Sequence, residues 1–239
     1  MPNIKKVERM TVTMRIIHWM NAICMIAAVA TGLYIGHPYY QSFIADGAVD
    51  KYVMAWNRWG HFMVAIIFDV TAILIGYLYF FSRFEKPYKK LIPNKQNIVE
   101  FFEVFFNLIT FNRRKKFDST HSDSYNIVFF TIFHLLLVLM LFTGLQLYVH
   151  GLASGESSIG TWWPTMLHLT TDWTLYVFGG NMGVRMAHHT AMYFIIAWVM
   201  CHVYYQIWRT IYWQEGDIAI VVGGSKFVKD DKKEDKEKK

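Results

Sequence analysis

The run from Val184 to Trp208 reads VRMAHHTAMYFIIAWVMCHVYYQIW, three histidines and an arginine inside an otherwise apolar stretch. Imidazole and guanidinium groups are costly to hold away from water, so at such places they mark a functional site or polar links between helices. Elsewhere the chain repeats part of this pattern. Arg15-Ile-Ile-His18, Arg58-Trp-Gly-His61 and Arg185-Met-Ala-His188 share the form R-x-x-H. Residues three apart lie on nearly the same helix face, so each arginine stands one turn from its histidine. A guanidinium in that position suits a carboxylate, which its planar fork can bind through two hydrogen bonds. Imidazoles that face each other, with arginines beside them, are the chemistry of an iron porphyrin: nitrogens to the metal, guanidiniums to the propionates.

The elements that must position these residues are membrane spans. Of the 239 residues, 54% are hydrophobic and 18% aromatic, too apolar for an ordinary soluble domain of this length. Four runs reach the ~20 residues needed to cross a bilayer as a helix: Met14–Ile35, Trp59–Ser82, Ile127–Val149 and Met186–Ile211. The first follows a basic N-terminus, as a signal peptide does. Its apolar stretch is long and no small-residue cleavage site follows, so it reads as a retained span. Cys24 and Cys201 both fall inside spans, which points away from a disulfide framework or a thiolate metal site.

The net charge of +6 belongs to topology, not to nucleic-acid binding. The N-terminus, second loop and C-terminus carry 21 of the 24 Lys and Arg residues; the other two loops carry only Lys51, Arg58 and Arg185. By the positive-inside rule both termini are cytoplasmic and the Trp-rich loops face outward. The expected fold is therefore an all-α integral membrane protein, an antiparallel four-helix transmembrane bundle over residues 1–228. The segment 229–239, mixed in charge and Lys-rich, reads as a disordered cytoplasmic tail.

Depth then pairs the histidines. Span four runs from outside to inside, and the 14 residues between His188 and His202 amount to four turns less about 40°. Both therefore share one face, separated by a rise of roughly 21 Å, while His189 points about 100° away. His61 lies near the outer start of span two and matches His188; His18 lies near the inner start of span one and matches His202. Two facing imidazoles at each of two levels suit two b-type haems enclosed by the bundle. Zinc would want its ligands gathered at one level. One such histidine alone is well explained as an interfacial anchor; four at matched depths, three with the same arginine partner, are not. For His202 the aqueous neighbour is Arg209.

Other segments carry weaker signals. Ile98–Phe111 is apolar but too short and acidic to span, and reads as an interfacial helix. The outer loop Gly151–Arg185, with Trp162, Trp163 and Trp173, has the length for short helices or a docking surface. The tripeptide TGL occurs in spans one and three (Thr31–Leu33, Thr143–Leu145), too short to establish a repeat. Asp69 and His134 sit at membrane depth; the preferred reading is a hydrogen bond to each other or to neighbouring helices, the other a proton or quinone route. His168 has surface character, with contact to an electron-donating partner as the functional alternative. His37 and His150 end helices.

The motifs RIIHW (Arg15–Trp19), RWGHF (Arg58–Phe62), FGG…VRMAHHTAMY…CHVY (Phe178 to Tyr204) and GDIAIVVGGSKF (Gly216–Phe227) resemble those of the cytochrome b subunit of membrane-bound nickel–iron hydrogenases. The wider group includes cytochrome b subunits of formate dehydrogenase and thiosulfate reductase. The likeness covers nearly all the chain except the Lys-rich tail. It implies two haem b groups with His18, His61, His188 and His202 as axial ligands and Arg15, Arg58 and Arg185 at the propionates. It also implies a menaquinone or ubiquinone site near the inner haem. At the place where the family carries a His-Asn pair this chain has HSDSYN, so His121 fits and Tyr125 and Asn126 stand in for the asparagine. Span two departs from the family's basic-aromatic ending with GYLYFFSR (Gly76–Arg83).

The implied role is electron transfer from the iron–sulfur small subunit of a periplasmic hydrogenase, itself bound to the large subunit, to quinone. His121 would relay protons, since imidazole titrates near neutrality. The subunit would also anchor that enzyme in the bacterial inner membrane, among lipids and with the possibility of higher-order assembly. It would not itself split hydrogen. A formate dehydrogenase or thiosulfate reductase partner is the alternative within the group. A haem-free anchor or transporter is the alternative outside it, and four spans without an inverted repeat fit a transporter poorly.

Overall fold

The computed structural model describes residues 4–38, 48–81, 93–112, 124–152, 157–212 and 218–229. In chain order these form strand β1 (Ile4–Glu8), helices α1 (Val12–Gly36), α2 (Ala48–Phe81), α3 (Lys95–Ile109), α4 (Ser124–His150), α5 (Trp162–Thr171), α6 (Trp173–Phe178), α7 (Asn181–Tyr212) and α8 (Ile218–Gly223), and strand β2 (Ser225–Lys229). Helices α1, α2, α4 and α7 are long and apolar enough to cross a membrane, at the four places expected. Their outward residues stay apolar, with Ile26 and Ile73 each 72% exposed. That is how a helix surface looks when lipid, not water, surrounds it.

Polar links set the helix directions. Thr31 near the end of α1 bonds His61 in the first half of α2, while Thr71 late in α2 donates to Asn21 early in α1 at 2.5 Å. The two helices therefore run antiparallel. In the same way Thr143 late in α4 meets His188 early in α7, and Phe129 early in α4 stacks on Trp198 further along α7. The bundle is thus two helix pairs, α1 with α2 and α4 with α7, and the pairs touch each other sparsely.

Local chemistry explains the helix ends. Thr11 caps α1 by accepting from the Met14 N–H at 3.3 Å. Asn94 and Asn97 form a reciprocal capping box that starts α3. The FGG motif is the turn into α7. Gly179 (φ 74°) ends α6 in the left-handed region, Gly180 (φ 97°) continues there, and the Gly180 N–H closes on the Leu175 carbonyl at 2.7 Å. A Cβ on Gly183 would collide with the Phe178 carbonyl, so the first turn of α7 needs glycine as well.

Helix α3 occupies the expected apolar stretch and buries Val104 and Leu108 against Phe129, Trp198, Tyr205 and Trp208. Its opposite side leaves Val99 and Phe106 exposed. The outer loop forms α5 and α6, and buried Thr171 of α5 donates to buried Gln146 of α4 at 2.5 Å.

The helical membrane bundle expected from sequence is observed, with one small addition that the sequence reading did not contain. β1 pairs with β2 antiparallel, from Ile4 opposite Lys229 to Glu8 opposite Ser225. Two five-residue strands at opposite ends of a chain leave no local signal, and an isolated two-stranded ribbon is marginal in water. Here it has support. Arg9 and Met10 donate their N–H groups to the Gly224 carbonyl, Arg15 donates to the Val222 carbonyl at 2.6 Å, and the Trp19 indole donates to the Val221 carbonyl at 2.9 Å. The boundary expected at residue 228 accordingly falls inside β2, and residues 230–239 lie outside the described residues.

Candidate functional site

The outer histidines face each other between the two helix pairs. The His61 and His188 ring centroids are 6.5 Å apart, with the rings inclined at 71°. Each ring is held at one nitrogen: His61 Nδ1 lies 2.9 Å from Thr31 Oγ1, and His188 Nδ1 lies 2.8 Å from Thr143 Oγ1. Nε2 is then the nitrogen left on both rings. A metal–imidazole bond of about 2 Å on each side would put two ring centres about 6 Å apart. The observed spacing fits one metal ion held between two imidazoles. His189 is not part of this pair. Its ring fills the room that Gly36 leaves on α1, where a Cβ would collide with it.

At the inner level His202 lies flat on Trp198, with centroids 5.2 Å apart and planes 7° from parallel, and meets Phe130 at 5.8 Å. His18 stands edge-on to Trp19 at 5.6 Å. Nδ1 of each of these two histidines is buried and has no hydrogen-bond partner among the described residues. A buried polar atom without a partner costs free energy, and a ligand that orders both rings is one way to offset it. Among the described residues no three of His, Cys, Asp and Glu gather at one place. His61 and His188 therefore stand as a pair and not as part of a larger cluster.

The arginines divide. Arg58, ten residues into α2, and Arg185, in the second turn of α7, are exposed. Arg15 has one partner of another kind, the Val222 carbonyl at the end of α8, so part of its fork serves to fasten the C-terminal segment. Arg209 is buried, its guanidinium 5.3 Å over the Tyr205 ring, with one nitrogen 3.4 Å from the Tyr205 hydroxyl.

Of the quinone candidates, Tyr125 and Asn126 lie in the first turn of α4, and His121 lies outside the described residues. His134 donates from Nδ1 to its own helix, at the Phe130 carbonyl 2.6 Å away, in place of the bond to Asp69 or to another helix expected from sequence. Asp69 is half-buried midway along α2. His168 of α5 pairs with Asp172, the residue that caps that helix, at 2.9 Å, and both side chains are exposed. Asn181 donates to His150 Nδ1 at 3.2 Å and ties the start of α7 to the end of α4.

The residues that sequence reasoning passed over are Thr31 and Thr143. They open the two TGL tripeptides, and each binds one of the outer histidines. The repeat was the available signal. What it lacked was a pairing rule, because each threonine and its histidine lie on different helices.

Comparison with known proteins gives a family. Residues 9–224 match the model of the prokaryotic cytochrome b561 family. A probable Ni/Fe-hydrogenase B-type cytochrome subunit of Azotobacter chroococcum is 27% identical over 222 residues, which cover 92% of this chain and 88% of that relative. A protein of the same description from Cupriavidus necator is 25% identical over 220 residues, 90% of this chain and 85% of the relative. A probable Ni/Fe-hydrogenase 1 B-type cytochrome subunit of Escherichia coli is 25% identical over 227 residues, 94% of this chain and 92% of the relative.

Proposed function

The chain belongs to the prokaryotic cytochrome b561 family, and from that premise we propose that it is the dihaem membrane subunit of a nickel–iron hydrogenase, passing electrons to a quinone and anchoring the enzyme. The observation that carries this reading is the facing of His61 and His188 at 6.5 Å with Nδ1 of each already engaged. Haem b, when bound, supplies one-electron exchange at its iron.

This chain's own residues supply the holding and orienting. His61 from α2 and His188 from α7 hold the outer group, one from each helix pair. His18 from α1 and His202 from α7 hold the inner one. Arg58 and Arg185 bind carboxylates at the outer rim, and Arg15 does so at the inner rim with the donors that Val222 leaves it. Quinone binds near the inner level, beside the first turn of α4, with His121, Tyr125 and Asn126 as its polar contacts. The hydrogenase small subunit, carrying the large subunit, docks on the periplasmic side against α5 and α6, whose surface exposes Trp162, Leu169 and Tyr176. The relatives' names support that partner; the β1–β2 ribbon supports both of its strands lying on one side, and the Lys and Arg distribution supports that side being cytoplasmic.

The test is the complex solubilised from its own membrane. We expect a b-type reduced-minus-oxidised spectrum, two haems per copy of this chain, and co-purifying iron–sulfur and nickel–iron subunits. One haem per chain would refute the two-level ladder, and molybdenum-containing partners would refute the hydrogenase assignment. A chain without haem would refute electron transfer altogether.

A further inference from the structure

We propose that Thr31 and Thr143, each with the glycine that follows it, are positioning residues that hold His61 and His188 in one tautomer and leave Nε2 of each free for iron; this rests on the haem reading above. The argument is a proton count. Thr31 Oγ1 lies 2.7 Å from the Ala27 carbonyl and 3.2 Å from that of Ala28, both on its own helix. Thr143 Oγ1 lies 2.6 Å from the Leu139 carbonyl and 3.3 Å from that of Met140. A hydroxyl has one proton, and a carbonyl can only accept. The proton goes to the nearer acceptor, which at Thr31 is the Ala27 carbonyl at 2.7 Å against His61 Nδ1 at 2.9 Å, and at Thr143 the Leu139 carbonyl at 2.6 Å against His188 Nδ1 at 2.8 Å. Each threonine's remaining contact, to Nδ1 of a histidine at 2.9 or 2.8 Å, is one in which the hydroxyl oxygen accepts and the imidazole donates. A neutral imidazole has one N–H, so a ring that donates from Nδ1 carries a bare lone pair at Nε2. The same count runs twice, on two helices 112 residues apart in sequence (Thr31 and Thr143).

The glycines complete the clamp. A Cβ on Gly32 would lie 3.3 Å from Cε1 of His61, and a Cβ on Gly144 would lie 3.3 Å from Cε1 of His188. Both would be tighter than ordinary side-chain packing. With no side chain there, each supporting helix comes up against the ring edge between its two nitrogens. The hydroxyl engages one nitrogen and the glycine limits ring rotation, so Nε2 is the nitrogen left for a ligand.

The clamp is particular to the outer level. Nδ1 of His18 and of His202 is buried without a hydrogen-bond partner among the described residues. At that depth α4 presents Phe130, and α7 itself presents Trp198 one turn before His202. Two sites built from the same ligand type are thus supported differently, one by hydroxyl oxygens and one by aromatic faces. An imidazole whose N–H is held by an acceptor is a stronger donor to a metal. Removing the acceptor is then expected to weaken binding and to favour the reduced iron.

The experiment uses the full chain in its complex, with Thr31→Val, Thr143→Val and the double variant, and Thr31→Ser and Thr143→Ser as conservative partners. His61→Ala identifies which optical and electron paramagnetic resonance signals belong to the outer site. Haem per chain, the midpoint potential of each component and the low-spin ferric signals are read for every variant. We expect the valine variants to raise the outer midpoint potential and to weaken outer haem retention by about 10- to 100-fold. Inner signals should be unchanged, and serine should restore the wild-type values. If the valine variants retain haem with unaltered potential and signals, the clamp is refuted. If serine loses the outer haem as completely as valine, packing and not the hydroxyl is responsible, and the clamp is equally refuted. A wild-type chain that holds no haem overturns the functional reading and the clamp with it, whereas a haem-bearing wild type with inert valine variants overturns the clamp alone.

Discussion

Trp198 holds the inner end of the site together, and its replacement is a quantitative test of how. The indole stacks on Phe133 at 4.0 Å, on Phe129 at 4.6 Å and on His202 at 5.2 Å, with planes within 20° of parallel in each case. Its Nε1–H donates to the Phe129 carbonyl at 2.9 Å. In lipid the transfer term that dominates core mutations in water is largely absent, so packing and hydrogen bonding remain. Three aromatic contacts at about 0.5–1.5 kcal/mol each and one hydrogen bond of about 1 kcal/mol give a cost on the order of 3–4 kcal/mol for Trp198→Ala. Trp198→Phe keeps most of the stack. It removes a donor from a carbonyl that is already an acceptor within α4, so it should cost about 1 kcal/mol or less. The assay is unfolding in mixed detergent micelles, followed by helix content, with the haem spectrum recorded on the same samples. Alanine should also free the His202 ring, so inner-haem signals should broaden or vanish while outer ones persist. A phenylalanine variant as unstable as the alanine one would refute the reasoning, since the hydrogen bond would then outweigh the stack. So would an alanine variant within about 1 kcal/mol of wild type, because the summed ring contacts would then contribute nothing.

Three other outcomes follow from the same structure. His61→Ala and His202→Ala should each lower haem content from two to one per chain and remove different spectral components; loss of the same component in both would break the pairing by depth. Arg15→Met combined with Trp19→Phe removes the donors to the Val222 and Val221 carbonyls, and should raise the proteolysis rate of the C-terminal segment severalfold in inside-out vesicles. An unchanged digestion rate would mean that the β1–β2 pairing alone holds it. Withholding haem should destabilise the bundle by about 4 kcal/mol if the group is normally present at 1,000 times its dissociation constant. Equal unfolding of haem-free and haem-loaded chains would count against any haem between the helix pairs.

The sequence was most legible where one helix sufficed to state the rule. Span positions followed from apolar length, and the shared face of His188 and His202 followed from their spacing on α7. His189 was excluded from that face by the same 100° step, and its ring indeed sits elsewhere, against Gly36. What could not be read was anything that joins two helices. Thr31 and Thr143 needed His61 and His188 brought alongside before their role could be seen. The β1–β2 ribbon needed the two chain ends to meet. His134 shows the converse error: a polar residue at membrane depth was expected to seek another residue, but the nearest acceptor was the carbonyl four residues back. Within a helix that carbonyl is always in reach, so histidine at depth is weak evidence for a partner elsewhere.

The division of the bundle into two helix pairs bears on why the ligands come from where they do. In a bilayer, helices gain little from burying apolar surface on one another, because lipid tails are equally apolar. Within each pair, polar links and aromatic stacks supply the association: Asn21 with Thr71 on one side, Phe129 and Phe133 with Trp198 on the other. Between the pairs such links are sparse, and the two outer histidines meet across that boundary, one from each pair. A group ligated by both would therefore join two halves that protein contacts alone hold loosely. Each of these ligands contacts a threonine of its own pair, Thr31 for His61 and Thr143 for His188, so neither contact depends on the opposite half.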